Sequence, residues 1–180
     1  MKKSSFALCS AYVAALAFII VCIDNLLKKY MPIGSEAGFT YISFVAWAVY
    51  FFTGGATRDG LRAAIGYVIG ITFSILIILL AACFLSLGFF AVPLSVFIIV
   101  FLVLYLEKVP WINLIPAMFV ASGCYFGIMN YVIPMSEAAS ATLGAKLGMA
   151  AFVEIIYGFI GLLFGWIAVT GKGYIAKKIK

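Results

Sequence analysis

Apolar residues in this chain come in long unbroken blocks rather than in one-sided stripes. Six blocks stand out, at approximately 6–27, 39–52, 63–87, 89–106, 111–133 and 147–170. A helix that is apolar around its whole circumference belongs in lipid or a large core, whereas a surface helix is apolar on one face. A membrane barrel would alternate in segments of about ten residues, and these blocks do not. The pattern predicts an all-α polytopic transmembrane bundle of about six spans, one domain over 1–180. The second block holds about 14 strongly apolar residues. That is short of the roughly 20 a full crossing needs, so a five-span arrangement stays open.

Polar punctuation separates the blocks. Lys28, Lys29, Pro32, Gly34 and Glu36 mark the first loop, and Thr53-Gly54-Gly55-Ala56-Thr57-Arg58-Asp59-Gly60 the second. Gly88 and Pro93 bracket a tight turn, Glu107-Lys108-Val109-Pro110 forms the fourth connection, and a Ser- and Ala-rich stretch over 134–145 the fifth. Cytoplasmic loops carry the excess of Lys and Arg. With the N-terminus inside, Lys2, Lys3, Arg58, Arg62, Lys108, Lys172, Lys177, Lys178 and Lys180 fall inside, and Lys28, Lys29 and Lys146 outside. This count predicts both termini in the cytoplasm. Tyr30, Tyr105, Trp111, Trp166 and Tyr174 sit at or near span ends, where amphipathic rings prefer to lie.

Composition closes off other classes. The chain is 67% apolar and 10% charged over 180 residues, against about half and a quarter in soluble domains. Its lipid-sized blocks leave no room for a soluble domain. The net charge of +6 would suggest nucleic acid in a soluble protein, but lysines at span ends report orientation instead, so no nucleic-acid partner is expected. There is no histidine, which removes the usual general base and commonest metal ligand. Cys9, Cys22, Cys83 and Cys124 are far apart in apolar stretches and read as small buried residues, not disulfides or metal ligands. With no phosphate-binding or nucleophile–base motif, neither an enzyme nor a cofactor is expected. The first block exceeds a signal-peptide core and lacks a cleavage site, so it reads as an uncleaved span.

Two windows of the chain resemble each other, which reads as an internal repeat, with a chance likeness of aromatic membrane helices as the alternative. Phe44-Val45-Ala46-Trp47-Ala48-Val49-Tyr50-Phe51 aligns with Phe119-Val120-Ala121-Ser122-Gly123-Cys124-Tyr125-Phe126 at an offset of 75 residues. Phe, Val, Ala, Tyr and Phe recur at the same places. Three spans per half is an odd number, so halves over 1–87 and 88–180 must insert in opposite orientations, the plan of many transporters.

The stretch Trp47…Tyr50-Phe51-Phe52-Thr53-Gly54-Gly55…Gly60-Leu61 and the later Ile115-Pro116-Ala117-Met118-Phe119-Val120-Ala121-Ser122-Gly123-Cys124 resemble the YcdZ-like bacterial inner-membrane proteins, small, multi-span and of undefined function. The resemblance covers most of the chain and implies an inner-membrane location and a fold size, with no substrate or catalytic residues. The fifth loop is longer than that family's pattern.

Several residues are candidates for a solute path. Glu154 lies inside the sixth block, where an ionisable group is costly in lipid and must face protein, water or a partner. It reads either as a cation- or proton-carrying site or as a structural hydrogen bond, for instance to Tyr157. Phe44, Trp47 and Phe51 share one helical face, and Phe119, Ser122 and Phe126 repeat it. Facing each other, with Tyr50 and Tyr125 beside them, they would form an apolar constriction; ordinary packing is the alternative. Asn113, just inside the fifth block, precedes Pro116, which breaks that block. Arg58, Asp59 and Arg62 read first as a surface ion pair in a loop, with a cluster at the cytoplasmic mouth as the alternative. Gly66/Gly70, Gly123/Gly127, Gly144/Gly148 and Gly161/Gly165 allow close helix approach, within the chain or in a homo-oligomer. The leading expectation is a channel or facilitator for a small solute. An ion-coupled carrier using Glu154, with Asp24, is the alternative, and a membrane scaffold or accessory subunit comes third.

Overall fold

The computed structural model describes residues 3–178 apart from 35 and 37, with side chains from residue 6 onward. Lys2, Lys180 and the side chain of Lys3, all counted in the cytoplasmic set, lie outside it. Six α-helices follow one another: α1 Lys3–Leu27, α2 Thr40–Phe52, α3 Thr57–Cys83, α4 Ala91–Leu104, α5 Ile115–Gly127 and α6 Leu143–Lys178. No strand occurs among the described residues. Tight helical turns extend α1, α4 and α5, giving spans of membrane length at Phe6–Tyr30, Thr57–Cys83, Leu85–Lys108, Ile115–Met135 and Leu143–Lys178. The sixth helix, α2, has 13 residues, about 20 Å at 1.5 Å per residue against a hydrocarbon core of about 30 Å. Among the described residues there are therefore five helices of spanning length and one short apolar helix.

Local chemistry sets several boundaries. Gly54 and Gly55, both at positive φ, turn the chain from α2 into α3, and Gly88 at φ 53° turns α3 back as α4. Pro116 stands in the first turn of α5, where its missing N–H costs nothing. It starts the helix rather than breaking it, and Asn113 precedes the helix instead of lying within it. The last turn of α5 widens into a π-helical turn at Ile128–Val132.

Two helix pairs carry the bundle, α2 with α6 and α3 with α5. Glycines let each pair approach closely. A Cβ on Gly161 would meet the carbonyl of Ser43 and come 2.7 Å from the Cβ of Ala46. A Cβ on Gly70 would meet the carbonyl of Met118 and come 2.8 Å from the Cβ of Ala121. Ser43 and Met118, like Ala46 and Ala121, are 75 residues apart. The α2 and α5 helices, Thr40–Phe52 and Ile115–Gly127, are also displaced by 75 residues and equal in length. The ring of Tyr67 lies against Gly158 and that of Tyr50 against Gly60, while Tyr50 also packs on Gly165, so α3 and α6 cross in opposite directions. Outside the core, α1 leans on α6 and α4 on α3. Gly66 packs on Ala117, but Gly123, Gly127, Gly144 and Gly148 have open space around them. Only two of the four glycine pairs thus serve packing inside the chain. Cys9 and Cys124 are buried as expected, whereas Cys22 and Cys83 face outward; all four are free. Tyr30, Tyr105, Trp111, Trp166 and Tyr174 are exposed, as rings at a lipid interface would be.

Candidate functional site

Two carboxyl groups are buried within the bundle, and their surroundings differ. Asp24, near the end of α1, is 4% exposed. Its Oδ1 accepts from the backbone N–H of Phe39 at 3.0 Å and its Oδ2 from the Thr40 hydroxyl at 2.5 Å. These groups open α2, so Asp24 satisfies a helix N-terminus from a neighbouring element, where a negative charge is favoured.

Glu154 is the other. It sits three turns into α6, is fully buried, and neither carboxylate oxygen has a hydrogen-bond partner. The expected bond to Tyr157 is not formed, and the Tyr157 hydroxyl is itself buried without a partner. One turn further along the same face of α6, Gly158 receives the ring of Tyr67 from α3. The Tyr67 hydroxyl is also buried without a partner, and a methyl at Gly158 would press on its ring at 2.9 Å. Tyr125 is satisfied, donating to the Leu147 carbonyl at 2.9 Å. Nearby polar groups close among themselves: Ser74 shares a 2.7 Å hydrogen bond with Ser122, and Ser43 donates to the Tyr157 carbonyl at 2.8 Å. Buried polar groups are ordinarily paired. The Glu154 carboxyl and the Tyr67 hydroxyl, near the crossing of α3 and α6, depart from that rule, as do the Tyr157 hydroxyl, the Trp47 indole N–H and the Arg62 Nε.

The other expected path residues separate. Trp47 packs on Phe164 at 6.2 Å between α1 and α6, with Phe44 and Phe51 at 6.1 and 6.3 Å on either side. Phe119 meets Phe73 at 5.9 Å, and Phe126 joins the cluster of α3, α4 and α5. The two aromatic faces lie on separate flanks and do not face each other, because the halves meet through glycine contacts and not through these rings. Tyr50 donates to the Gly55 carbonyl at 3.1 Å and closes the α2–α3 turn. Asn113 accepts from Arg62, which also pairs with Asp59 at 3.2 Å, while Arg58 stacks over Trp111 at 5.0 Å. This group ties the α4–α5 connection to the start of α3. At the bundle end that carries the first loop, Lys28, Lys29, Glu36, Tyr131 and Glu137 line an open cavity of about 680 Å³.

Sequence reasoning picked out Glu154 but missed Tyr67. Tyr67 is one of ten tyrosines, and only Gly158, spaced to receive a ring, hints at it. Among the described residues no three His, Cys, Asp or Glu side chains assemble into a metal site.

This is a multi-pass helical fold of the membrane type, with one buried acid left unpaired near its centre. The chain belongs to a family of proteins of unknown function, DUF1097, whose family model matches residues 7–171. Comparison with curated proteins and with solved structures gives no match.

Proposed function

We propose that the chain is a secondary carrier of the bacterial inner membrane, in which two oppositely inserted three-helix halves move a small solute coupled to an ion held at Glu154. One observation carries the reading: a fully buried carboxylate with both oxygens unpartnered. A structural acid has its bonds made, as Asp24 does. An acid kept bare at a cost of several kcal/mol has a function that needs it free.

The halves are supported by matched packing. Contacts of α2 with α6 repeat those of α3 with α5, and α1 on α6 matches α4 on α3. Gly70 and Gly161 meet residues 75 apart in the same roles, and the Tyr67–Gly158 contact lies where the relating axis would pass. The passive-channel reading depended on one aromatic constriction, and the separation of those rings shifts the weight to Glu154. Both termini are assigned to the cytoplasm on the lysine count, and a homo-oligomer is part of the reading because Gly123 and Gly127 are free for a neighbouring copy.

Purified protein in liposomes tests this with a panel of small solutes. Uptake that requires an imposed proton or sodium gradient, and that Glu154→Gln abolishes, is the expected result. Gradient-free flux unaffected by Glu154→Gln would return the protein to the channel class. No flux for any solute, with co-purifying partners, would make it a scaffold.

A further inference from the structure

We propose that the groove between the first turns of α1 and the last turns of α6 binds an anionic phospholipid, with an acyl chain along α1 and the phosphate at Lys172. The inference stands apart from the carrier reading and needs only that these helices lie in a membrane.

The two helices build the groove. Phe6, Cys9, Val13 and Ala17 follow one another at three- and four-residue spacing, which places them on one face of α1. That face lines a cavity of about 780 Å³, and Lys172, Gly173 and Ala176 of α6 line its other side. The first turns of α1 and the last turns of α6 therefore lie at the same end of the bundle. Tyr12 donates to the Ile167 carbonyl at 3.0 Å, and Leu16 and Ile20 pack with Phe164 and Ala168. The groove is thus held by the fold and is not a gap between loose ends. From residue 6 to residue 17 it runs about 16 Å at 1.5 Å per residue. A hydrocarbon core of about 30 Å gives each leaflet about half of that, so the groove has the length of one leaflet.

Charge selects the occupant. Among the described residues Lys172 is the one charged side chain on the lining. Its ammonium lies 5.8 Å from the centroid of the Phe51 ring, a cation–π distance that keeps it beside the bundle. The ion pair among the described residues is Arg62 with Asp59, so no acid neutralises Lys172. The last turn of α6 adds Lys177 and Lys178, and the first turn of α1 has no acid. Basic pockets between membrane helices bind anionic head groups, and an ammonium is a strong donor to phosphate oxygens. A second copy of the chain fits the groove less well. Inserted in the same direction, it would bring its own Lys172, Lys177 and Lys178 to the same depth. The glycines left open to a copy, Gly123 and Gly127, are on α5 instead.

Native mass spectrometry of the full-length protein tests the site, with release from detergent micelles that hold equal amounts of phosphatidylglycerol and phosphatidylcholine of matched chains. The parent should retain one phosphatidylglycerol several-fold more often than one phosphatidylcholine. Lys172→Gln should bring the two lipids to parity, and Lys172→Arg should keep the preference. Lys28→Gln, at the other end of the bundle, should leave it unchanged. Ala14→Phe, which fills the groove from an exposed position on its lining, should lower retention of both lipids. Equal retention of the two lipids by the parent, or the same loss in Lys172→Gln and Lys28→Gln, overturns the head-group site. Retention untouched by Ala14→Phe overturns the groove. A dimer that Ala14→Phe converts to monomer, with the lipid preference intact, would make the groove a contact between copies and also overturn the proposal. Melting temperatures in detergent close to the parent's are expected for the variants, since Lys172 and Ala14 are both exposed.

Discussion

At the scale of single residues, the two buried acids differ in whether their oxygens are bonded. Asp24 fixes the entry of α2 through Phe39 and Thr40. Asp24→Ala leaves those donors unsatisfied, and a cost of about 1–3 kcal/mol is expected, read as a lowered melting temperature in detergent. Asp24→Asn retains an acceptor and should lie between the two. Glu154 makes no such bond, so Glu154→Gln should leave the melting temperature close to that of the parent while removing coupled uptake. A large loss of stability in Glu154→Gln would mean that the acid is structural after all. The sequence exposed the cost of Glu154, because a charge in an apolar block is visible locally. It could not reveal whether that charge had a partner, because candidate partners lie on other helices.

At the scale of elements, close packing against glycine holds the pairs α2–α6 and α3–α5. Gly70→Leu and Gly161→Leu drive a side chain into the carbonyls of Met118 and Ser43. Overpacking of this kind costs about 1–3 kcal/mol or more, and the two substitutions should lower the melting temperature by similar amounts. Gly123→Leu and Gly127→Leu point into open space and should leave the monomer's melting temperature unchanged. If all four behaved alike, the glycine contacts would not be what joins the halves. The four pairs look identical in sequence. Which of them meets a backbone depends on how each helix is rotated about its axis, and uniformly apolar blocks carry no periodic signal to set that rotation. The helix boundaries were more legible, since Gly54, Gly55, Gly88 and Pro116 act through their own backbones. Even so, Pro116 was expected to interrupt a helix that it instead begins.

At the scale of the whole molecule, the short α2 decides the topology. If α2 crosses, Lys28 and Lys108 lie on opposite sides of the membrane; if it does not, they share a side. In oriented vesicles an impermeant amine reagent should label Lys28 and Lys29 from one face, and Lys108 and Lys172 from the other. Labelling of Lys28 and Lys108 from the same face would reduce the protein to five spans and end the inverted-halves reading.

Hydrophobicity adds up residue by residue along a contiguous segment. Sequence alone therefore indicated that the chain is helical, that its helices are apolar enough to cross a membrane, and roughly where they begin and end. Satisfaction of a buried polar group depends on atoms brought from distant segments. Only the folded arrangement could therefore pair Asp24 with the start of α2, send the two aromatic faces to separate flanks, and leave Glu154 buried and unpaired.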